Sequence, residues 1–220
     1  MDADYLDALL PRIQKALFET LLMVTVSFVL ATIVGLLLGV VLYATRPGNL
    51  LHNRVVFGAL NVVINVVRPI PFIILAVSII PLTRLIVGTS IGPVAAIVPI
   101  TIVAAMAIAR IVETNLVAVD RGAIEAGSAM GASPARVLFT IVIPESLGPL
   151  TLGLTYIVVA LVDTTAVAGA IGGGGLGDLA IKYGYQRFDW FVVFVIVVIL
   201  IVLVQLAQWL GNAISKKVMH

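Results

Sequence analysis

The fold is decided by the stretch EAGSAMG at residues 125–131, which is followed after nine residues by IVIP at residues 141–144. These residues form a short polar island, because 61% of the 220 residues are hydrophobic and long apolar runs lie on either side. Charged residues make up only 11% of the chain, against about 25% in soluble domains. Most of the surface must therefore face lipid or other protein, and the polar island is a place where another protein can bind.

Five apolar regions are long enough for helices that cross the ~30 Å hydrocarbon core of a bilayer, which takes about 20 residues. The runs are continuous rather than alternating with period two, which predicts an all-α membrane protein. We expect spans at about 20–45, 55–82 with a kink at 69–71, 94–111, 149–171 and 190–212.

We expect a cytoplasmic loop at 121–144, between the third and fourth spans, and an N-terminal segment at 1–15. The first apolar run is too long for a signal peptide, so we expect it to be retained as a span. Seven basic residues fall on the side of Arg121 and five on the other. By the positive-inside rule the Arg121 side is cytoplasmic, so we expect the N-terminus outside and the C-terminus in the cytoplasm.

The polar island has the turn chemistry of two short helices. Glu125 is expected in the first turn of one helix, where its charge favours the positive end of the helix dipole, and Gly131 can end that helix. Ser133 and Pro134 are then predicted to be the N-cap and the first residue of a second helix. We expect Pro144 to close the second helix before the next span.

Stretches of the sequence match enzyme motifs, but they lack the further residues or the structural context that each motif needs. None of the four lysines follows a glycine, so the chain has no phosphate loop, and ATP would have to be bound by a separate subunit. Residues 88–92 match G-x-S-x-G, but both histidines are assigned to the opposite side of the bilayer, away from any serine nucleophile. Residues 172–177 match G-x-G-x-x-G without a preceding strand. The basic residues are scattered singly, so we expect no nucleic-acid partner.

The spacing E-A, four residues, G, nine residues, I-x-x-P resembles the coupling signature of permease subunits in binding-protein-dependent type I ABC importers. Gly127 departs from the usual second alanine, and Ile143 stands in place of leucine. In this family the first short helix fits a groove on the ATPase subunit. The resemblance implies that the ATPase-coupling residues are Ala123, Glu125, Ala126, Gly127, Ser128, Met130, Gly131, Ile141 and Pro144.

Three further blocks, at residues 68–75, 80–92 and 172–185, resemble the permease subunits of bacterial methionine importers, and the similarity covers about residues 16–212. It implies a fold with five spans and a homodimer in the bacterial inner membrane. It also implies two ATP-binding subunits and a periplasmic or lipid-anchored methionine-binding protein. ATP would bind to the partner subunit, so we expect no cofactor on this chain and no enzymatic activity of its own.

Polar residues within the apolar runs are candidates for the solute pathway. Asn61, Asn65 and Arg68 share one helical face, which we expect to turn towards the pathway or a partner subunit, or to lie near headgroups. The glycines at 172–175 fit a re-entrant turn lining the pathway or a plain connecting loop. The candidates are Asn65, Arg68, Pro71, Asp163, Thr164, Gly172 and Gly174.

Asp163 leaves alternatives open, because a carboxylate inside a span costs a few kcal/mol and is a functional candidate. It either meets the ammonium group of a substrate or pairs with a polar group such as Arg68. A different class, a secondary transporter with Asp163 as its ion or proton site, predicts transport without any partner. The inverted repeats usual in such carriers are not evident.

Two smaller expectations concern helix contacts. Arg110 and Glu113 are expected to form a solvated pair at the cytoplasmic end of the third span. Gly35 and Gly39 form G-x-x-x-G, which is compatible with close helix packing.

Overall fold

The computed structural model describes residues 3–49 and 51–218, and the regular elements in these ranges are all helical. The α-helices are α1 (Ala3–Thr45), α2 (Arg54–Val67), α3 (Phe72–Ser78), α4 (Ile80–Val87), α5 (Pro93–Val117), α6 (Arg121–Ala129), α7 (Pro134–Val137), α8 (Ile143–Ala170), α9 (Gly175–Leu179) and α10 (Trp190–Val218). Two π-helical turns lie at Leu138–Val142 and Ala180–Tyr185.

Four helical stretches of the described chain are long and apolar enough to cross a membrane, namely Asp7–Thr45, Pro93–Val117, Pro134–Ala170 and Trp190–Lys217. A fifth is obtained if α2 and α3 count as one span, which bends by 109° at a short break. The all-α membrane fold predicted from the sequence is therefore confirmed.

The bend between α2 and α3 follows from the prolines. Pro69 and Pro71 lack the N–H that a helix interior needs, so α2 ends at Val67 and Pro71 becomes the N-cap of α3. The chain breaks again at Ile79, and α4 ends where Gly88 takes a φ of +78°. Glycine adopts this left-handed conformation without the steric penalty of a Cβ.

Two helices extend beyond the expected spans. α1 begins at Ala3, so the residues expected as a separate N-terminal segment are helical from residue 3. The helix that contains the expected fourth span begins before residue 149, because α7, the first π turn and α8 form one continuous stretch, Pro134–Ala170.

The described chain divides into two compact units. The first contains the residues up to Leu30, Ile70–Val103 and Val158–Ala207. Its core packs the start of α1 against α9 and α10, through Leu9, Ala16, Leu176, Leu179, Val192 and Ile196.

The second unit contains Ala31–Pro69, Ala104–Ile157 and the residues from Gln208 onwards. Its core contains the fully buried Leu42, Ile64 and Ala109. In this unit Gly35 and Gly39 bring α1 directly against α5. A Cβ added at Gly35 would lie 2.6 Å from Cβ of Ile108, and one at Gly39 would lie 2.6 Å from the carbonyl oxygen of Ala109. The G-x-x-x-G motif is therefore a helix-packing site.

Candidate functional site

The short helix α6 is started and ended by its own sequence. The Asp120 carboxylate accepts a hydrogen bond from the Ala123 N–H at 3.2 Å and caps the N-terminus. At the other end Gly131 takes a φ of +82°, as its predicted role in ending the helix requires. The expectation that Glu125 lies in the first turn was wrong, because capping by Asp120 starts α6 at Arg121. Asp120 therefore supplies the negative charge at the helix N-terminus.

The inner face of α6 lies close to the π turn that follows α7. Gly127 is buried, and a Cβ there would lie 2.5 Å from Cδ1 of Ile141 and 3.5 Å from a Cγ of Val137. The glycine that departs from the usual alanine thus makes room for a long, flexible side chain. Ile141 is half-buried beneath the helix as a consequence.

The outer face of α6 is open. Met130 exposes 81% of its surface, and Glu125, Ala126, Ser128 and Gly131 are also exposed. Ala123 is half-buried. Small and polar residues beside one exposed methionine suit a surface that packs against another protein, since methionine adapts to irregular partners.

The second short helix begins as predicted. Ser133 accepts a hydrogen bond from the Arg136 N–H at 3.3 Å, and Pro134 is the first helical residue. Pro144, however, does not close the helix. The Ile143 N–H bonds to the Leu138 carbonyl five residues earlier, and this wider π turn accommodates the following proline, which lacks an N–H. Pro144 is exposed within the continuous stretch.

A cavity of about 410 Å³ opens beside α6. One wall is the end of α1 and the turn after it, including Arg46 and Asn49, and the other includes Arg121, Ile124 and Glu125. Glu125 and Arg121 are exposed on α6 and also line this cavity.

A polar cluster adjoins the cavity through Arg46 and contains five side chains from two helices and one turn, namely Arg46, Asn61, Asn65, Arg110 and Glu113. Arg110 contacts the Glu113 carboxylate, and its Nη2 donates to Oδ1 of Asn61 at 2.9 Å and of Asn65 at 2.7 Å. Nη1 of Arg46 lies 3.6 Å from the same carboxylate. The expected solvated pair of Arg110 and Glu113 was wrong, because Glu113 is only 4% exposed. A buried carboxylate needs such partners to offset its lost hydration.

The pathway candidates do not form one group. Asn65 faces Arg110 of its own chain, whereas Arg68, at the end of α2, is exposed. Pro71 is exposed at the start of α3. Asp163 is exposed on α8 and makes no ion pair or side-chain hydrogen bond among the described residues. The hydroxyl of Thr164 donates to the Ala160 carbonyl at 2.8 Å.

The glycines after α8 form a tight turn in which backbone meets backbone. Gly172 and Gly174 both have positive φ angles, and the Gly172 carbonyl accepts a hydrogen bond from the Gly92 N–H at 2.9 Å. Close by, a Cβ on Gly177 would lie 2.3 Å from the Ala166 carbonyl oxygen. Only glycine permits such close approaches of the backbone. This packing explains the run of glycines at 172–177, so no nucleotide-binding role is needed to explain it.

The family described as "Binding-protein-dependent transport system inner membrane component" matches residues 31–220. The chain belongs to this family. Together with the apolar helices, this membership makes the chain a multi-pass protein of an inner membrane.

Individual members of the permease family are similar over most of their length. A Vibrio cholerae protein named "Probable D-methionine transport system permease protein MetI" is 44% identical over 205 residues, 93% of this chain and 91% of the relative. The D-methionine transport system permease protein MetI of Escherichia coli K12 is 44% identical over 155 residues, 70% and 71% of the two chains. A structure of the MetNI methionine ABC transporter in an inward-facing conformation has a TM-score of 0.94, 40% identity and full coverage of both chains.

These matches confirm the resemblance to methionine-importer permeases and the type I ABC importer fold. They support the ABC permease interpretation and not the secondary transporter. The polar cluster was only partly predictable from the sequence, because Arg46 is one of the seven basic residues that the positive-inside rule counts on the Arg121 side. The N-cap Asp120, which lies outside the cluster, was missed. An acidic residue directly before Arg-Gly-Ala was the available signal for a helix N-cap.

Proposed function

We propose that this chain is the membrane-spanning subunit of an ATP-driven importer of methionine. The observation that carries the proposal is the match to a chain of the MetNI methionine ABC transporter, at 40% identity over the whole of both chains. In this proposal two copies of the permease form the solute pathway. Two ATP-binding subunits supply the work, so ATP is bound by the partner, and a periplasmic or lipid-anchored methionine-binding protein delivers the solute.

The exposed face of α6 is the proposed contact with the ATP-binding subunit. Met130 and Glu125 project from it, and Asp120 and Gly131 fix both ends of the helix. Gly127 seats the helix on Ile141, so α6 and the π turn move as one piece. Ala123, Ala126, Ser128 and Pro144 complete the proposed coupling surface.

The polar cluster connects this contact to the spans of the second unit. α6 starts only a few residues after α5 ends at Val117, and Glu113 lies in the last turns of α5. A displacement of α6 therefore acts on Glu113, through it on Arg46, and through Arg110 on Asn61 and Asn65 of α2. ATP binding then shifts an equilibrium between two arrangements of the spans.

Asp163 is proposed to face the solute pathway. A mid-span carboxylate cannot face lipid at low cost, and Asp163 is exposed on α8 with no charged partner among the described residues. A water-filled pathway solvates the carboxylate and offers it the ammonium group of an amino acid. Arg68, Pro71, Thr164, Gly172 and Gly174 remain proposed as further pathway residues.

The orientation proposed for the chain has the N-terminus outside and the C-terminus in the cytoplasm. It rests on the positive-inside rule, and it leaves α6 on the side where ATP is available. A cysteine introduced at Ser128, and another at Lys15, test this in intact cells. An impermeant maleimide should label the second and not the first.

Reconstitution tests the proposed function. The chain is placed in lipid vesicles with the ATP-binding and methionine-binding proteins of its source organism, and labelled methionine is measured inside. Accumulation is expected only when ATP and both partners are present. If the chain alone accumulates methionine in response to an ion gradient, the proposal is wrong.

A charge reversal tests the coupling surface separately. Glu125→Lys should abolish uptake and co-purification of the ATP-binding subunit while membrane insertion is retained. Glu145→Lys, the same change at another exposed glutamate, is the matched control and should keep both. Equal uptake by the two variants would show that α6 is not the contact.

A further inference from the structure

An open groove of about 580 Å³ lies in the first unit, between the start of α1 and the turn that contains α9. Five charged side chains line it: Arg12, Lys15, Glu19, Asp178 and Lys182. Such a density of charge is unusual in a chain that is only 11% charged. The groove is therefore suited to a charged ligand or to water.

The two carboxylates of the groove are already engaged. Lys15 Nζ lies 3.8 Å from Glu19 Oε1, and Lys182 Nζ lies 2.8 Å from Asp178 Oδ2. The other oxygen of Glu19 accepts the Gly175 N–H at 2.8 Å. Each acid thus neutralises one lysine, and the five charges leave a net charge of +1.

The excess charge belongs to Arg12. Among the described residues it makes no ion pair; it donates from Nη1 to the Tyr183 hydroxyl at 2.6 Å and lies 5.1 Å from the centre of that ring. Arg187 lies 4.5 Å from the same ring centre without lining the groove. Tyr183 therefore holds one arginine inside the groove and a second one outside it.

The surroundings of the groove are amphipathic. Ile91, which lines it, is 70% exposed, and Phe18, one turn beyond Lys15, is 67% exposed. In the segment that follows Tyr183, the side chains of Tyr185, Phe188 and Trp190 are each at least 70% exposed. Exposed aromatic residues of this kind concentrate at the headgroup level of a bilayer, and lysine and arginine extend their charged ends to the same level.

We propose that this groove binds the phosphate group of an anionic phospholipid. One phosphodiester balances the net charge of +1, with Arg12 as its main partner and Lys15 and Lys182 beside it. The exposed side chain of Ile91, which lines the groove, takes the first carbons of the acyl chains. Basic pockets between membrane helices bind anionic lipid headgroups on the cytoplasmic side, and in the proposed orientation this groove offers the same chemistry to the outer leaflet. The inference does not depend on what the protein transports.

Binding is tested with the full-length chain in detergent micelles, by calorimetric titration with dihexanoyl phosphatidylglycerol. Dihexanoyl phosphatidylcholine, with the same chains and no net charge, should bind more weakly. Arg12→Gln and Lys15→Gln should each weaken phosphatidylglycerol binding about five-fold, the usual effect of one basic residue at an anionic surface. Lys15, with its side chain 79% exposed, keeps the test valid if Arg12→Gln disturbs folding.

Arg187→Gln is the matched control, because it removes the same charge and the same stacking on Tyr183 but leaves the groove lining intact. It should bind phosphatidylglycerol like the unchanged protein. An equal loss in Arg12→Gln and Arg187→Gln would reduce the effect to general charge attraction and overturn the site. The lipid assignment would be overturned if sodium phosphate or methionine bound to the protein and neither of the two lipids displaced it.

Discussion

The guanidinium of Arg110 contacts the carboxylate of Glu113 three positions later on α5, and its second Nη reaches Asn61 and Asn65 on α2. Arg46, just past the end of α1, approaches the same carboxylate from another side. One buried acid thus ties two arginines together, and through Arg110 it ties α5 to α2.

Replacing Glu113 by glutamine should destabilise the protein by about 3 kcal/mol, because Arg110 and Arg46 lose their anionic partner. The measurement is the midpoint of unfolding in detergent, followed by circular dichroism. Glu145→Gln, at an exposed glutamate, should change the free energy of unfolding by less than about 0.5 kcal/mol. Equal midpoints for the two variants would contradict a stabilising role for the polar cluster.

Adding a methyl group at Gly39 should be costly, because the new Cβ would meet the Ala109 carbonyl oxygen at 2.6 Å, a backbone atom that cannot turn away. We expect Gly39→Ala to destabilise by about 2 kcal/mol, as overpacking does. Gly58→Ala is the control: nothing lies within 4 Å of its Cβ position, and alanine favours a helix by about 1 kcal/mol over glycine. The two unfolding midpoints should therefore move in opposite directions.

The contact of Gly127 with Ile141 should show coupling between two substitutions. Gly127→Ala should cost about 1 kcal/mol, because its Cβ displaces the Cδ1 atom of Ile141. Valine lacks that atom, so the Gly127→Ala, Ile141→Val double variant should regain most of the loss. A double-mutant cycle measured by unfolding checks this, and strict additivity would mean that the two side chains do not compete for space.

Stability should fall at high pH through Tyr5. Its hydroxyl donates a hydrogen bond to Asp189, and this bond, with desolvation and the nearby negative charge, raises the pKa of Tyr5 to about 12 from an ordinary value of 10.0. A folded-state pKa above the unfolded value means that the stabilisation is complete below pH 10 and is lost as pH rises towards 12. Tyr5→Phe should flatten the decrease in melting temperature over that range. Tyr185→Phe, at a side chain 76% exposed, should leave the decrease unchanged.

Asp163→Asn should lower the maximal rate of methionine uptake about ten-fold, if the carboxylate meets the ammonium group during passage. A hydrogen bond to a charged group contributes about 1.5 kcal/mol, which is roughly a factor of ten in rate. ATP hydrolysis by the partner should persist, and Asp7→Asn should transport normally. Uptake by Asp163→Asn at the full rate would remove Asp163 from the pathway.

The sequence predicted well whatever depends on neighbouring residues. Apolar runs predicted the helices, and local turn chemistry predicted the turn at Gly131 after α6 and the Ser133 cap before α7. It failed where a distant partner decides the outcome. Arg110 bonds Asn61, 49 positions away, and no pattern around either residue predicts that contact. Pro144 was misread for a related reason, since the π turn that accommodates it depends on backbone bonding over five residues.

The unbroken helical stretch Pro134–Ala170 has a mechanical consequence. At 1.5 Å per residue, its 37 residues correspond to a helix about 55 Å long, which includes a π turn at Leu138–Val142 and an internal proline, Pro149. For a helix of this length, a rigid-body tilt of a few degrees about one end moves the other end sideways by several ångströms. Inserting a hinge, such as two consecutive glycines near Leu150, should leave partner binding intact while disconnecting it from gating.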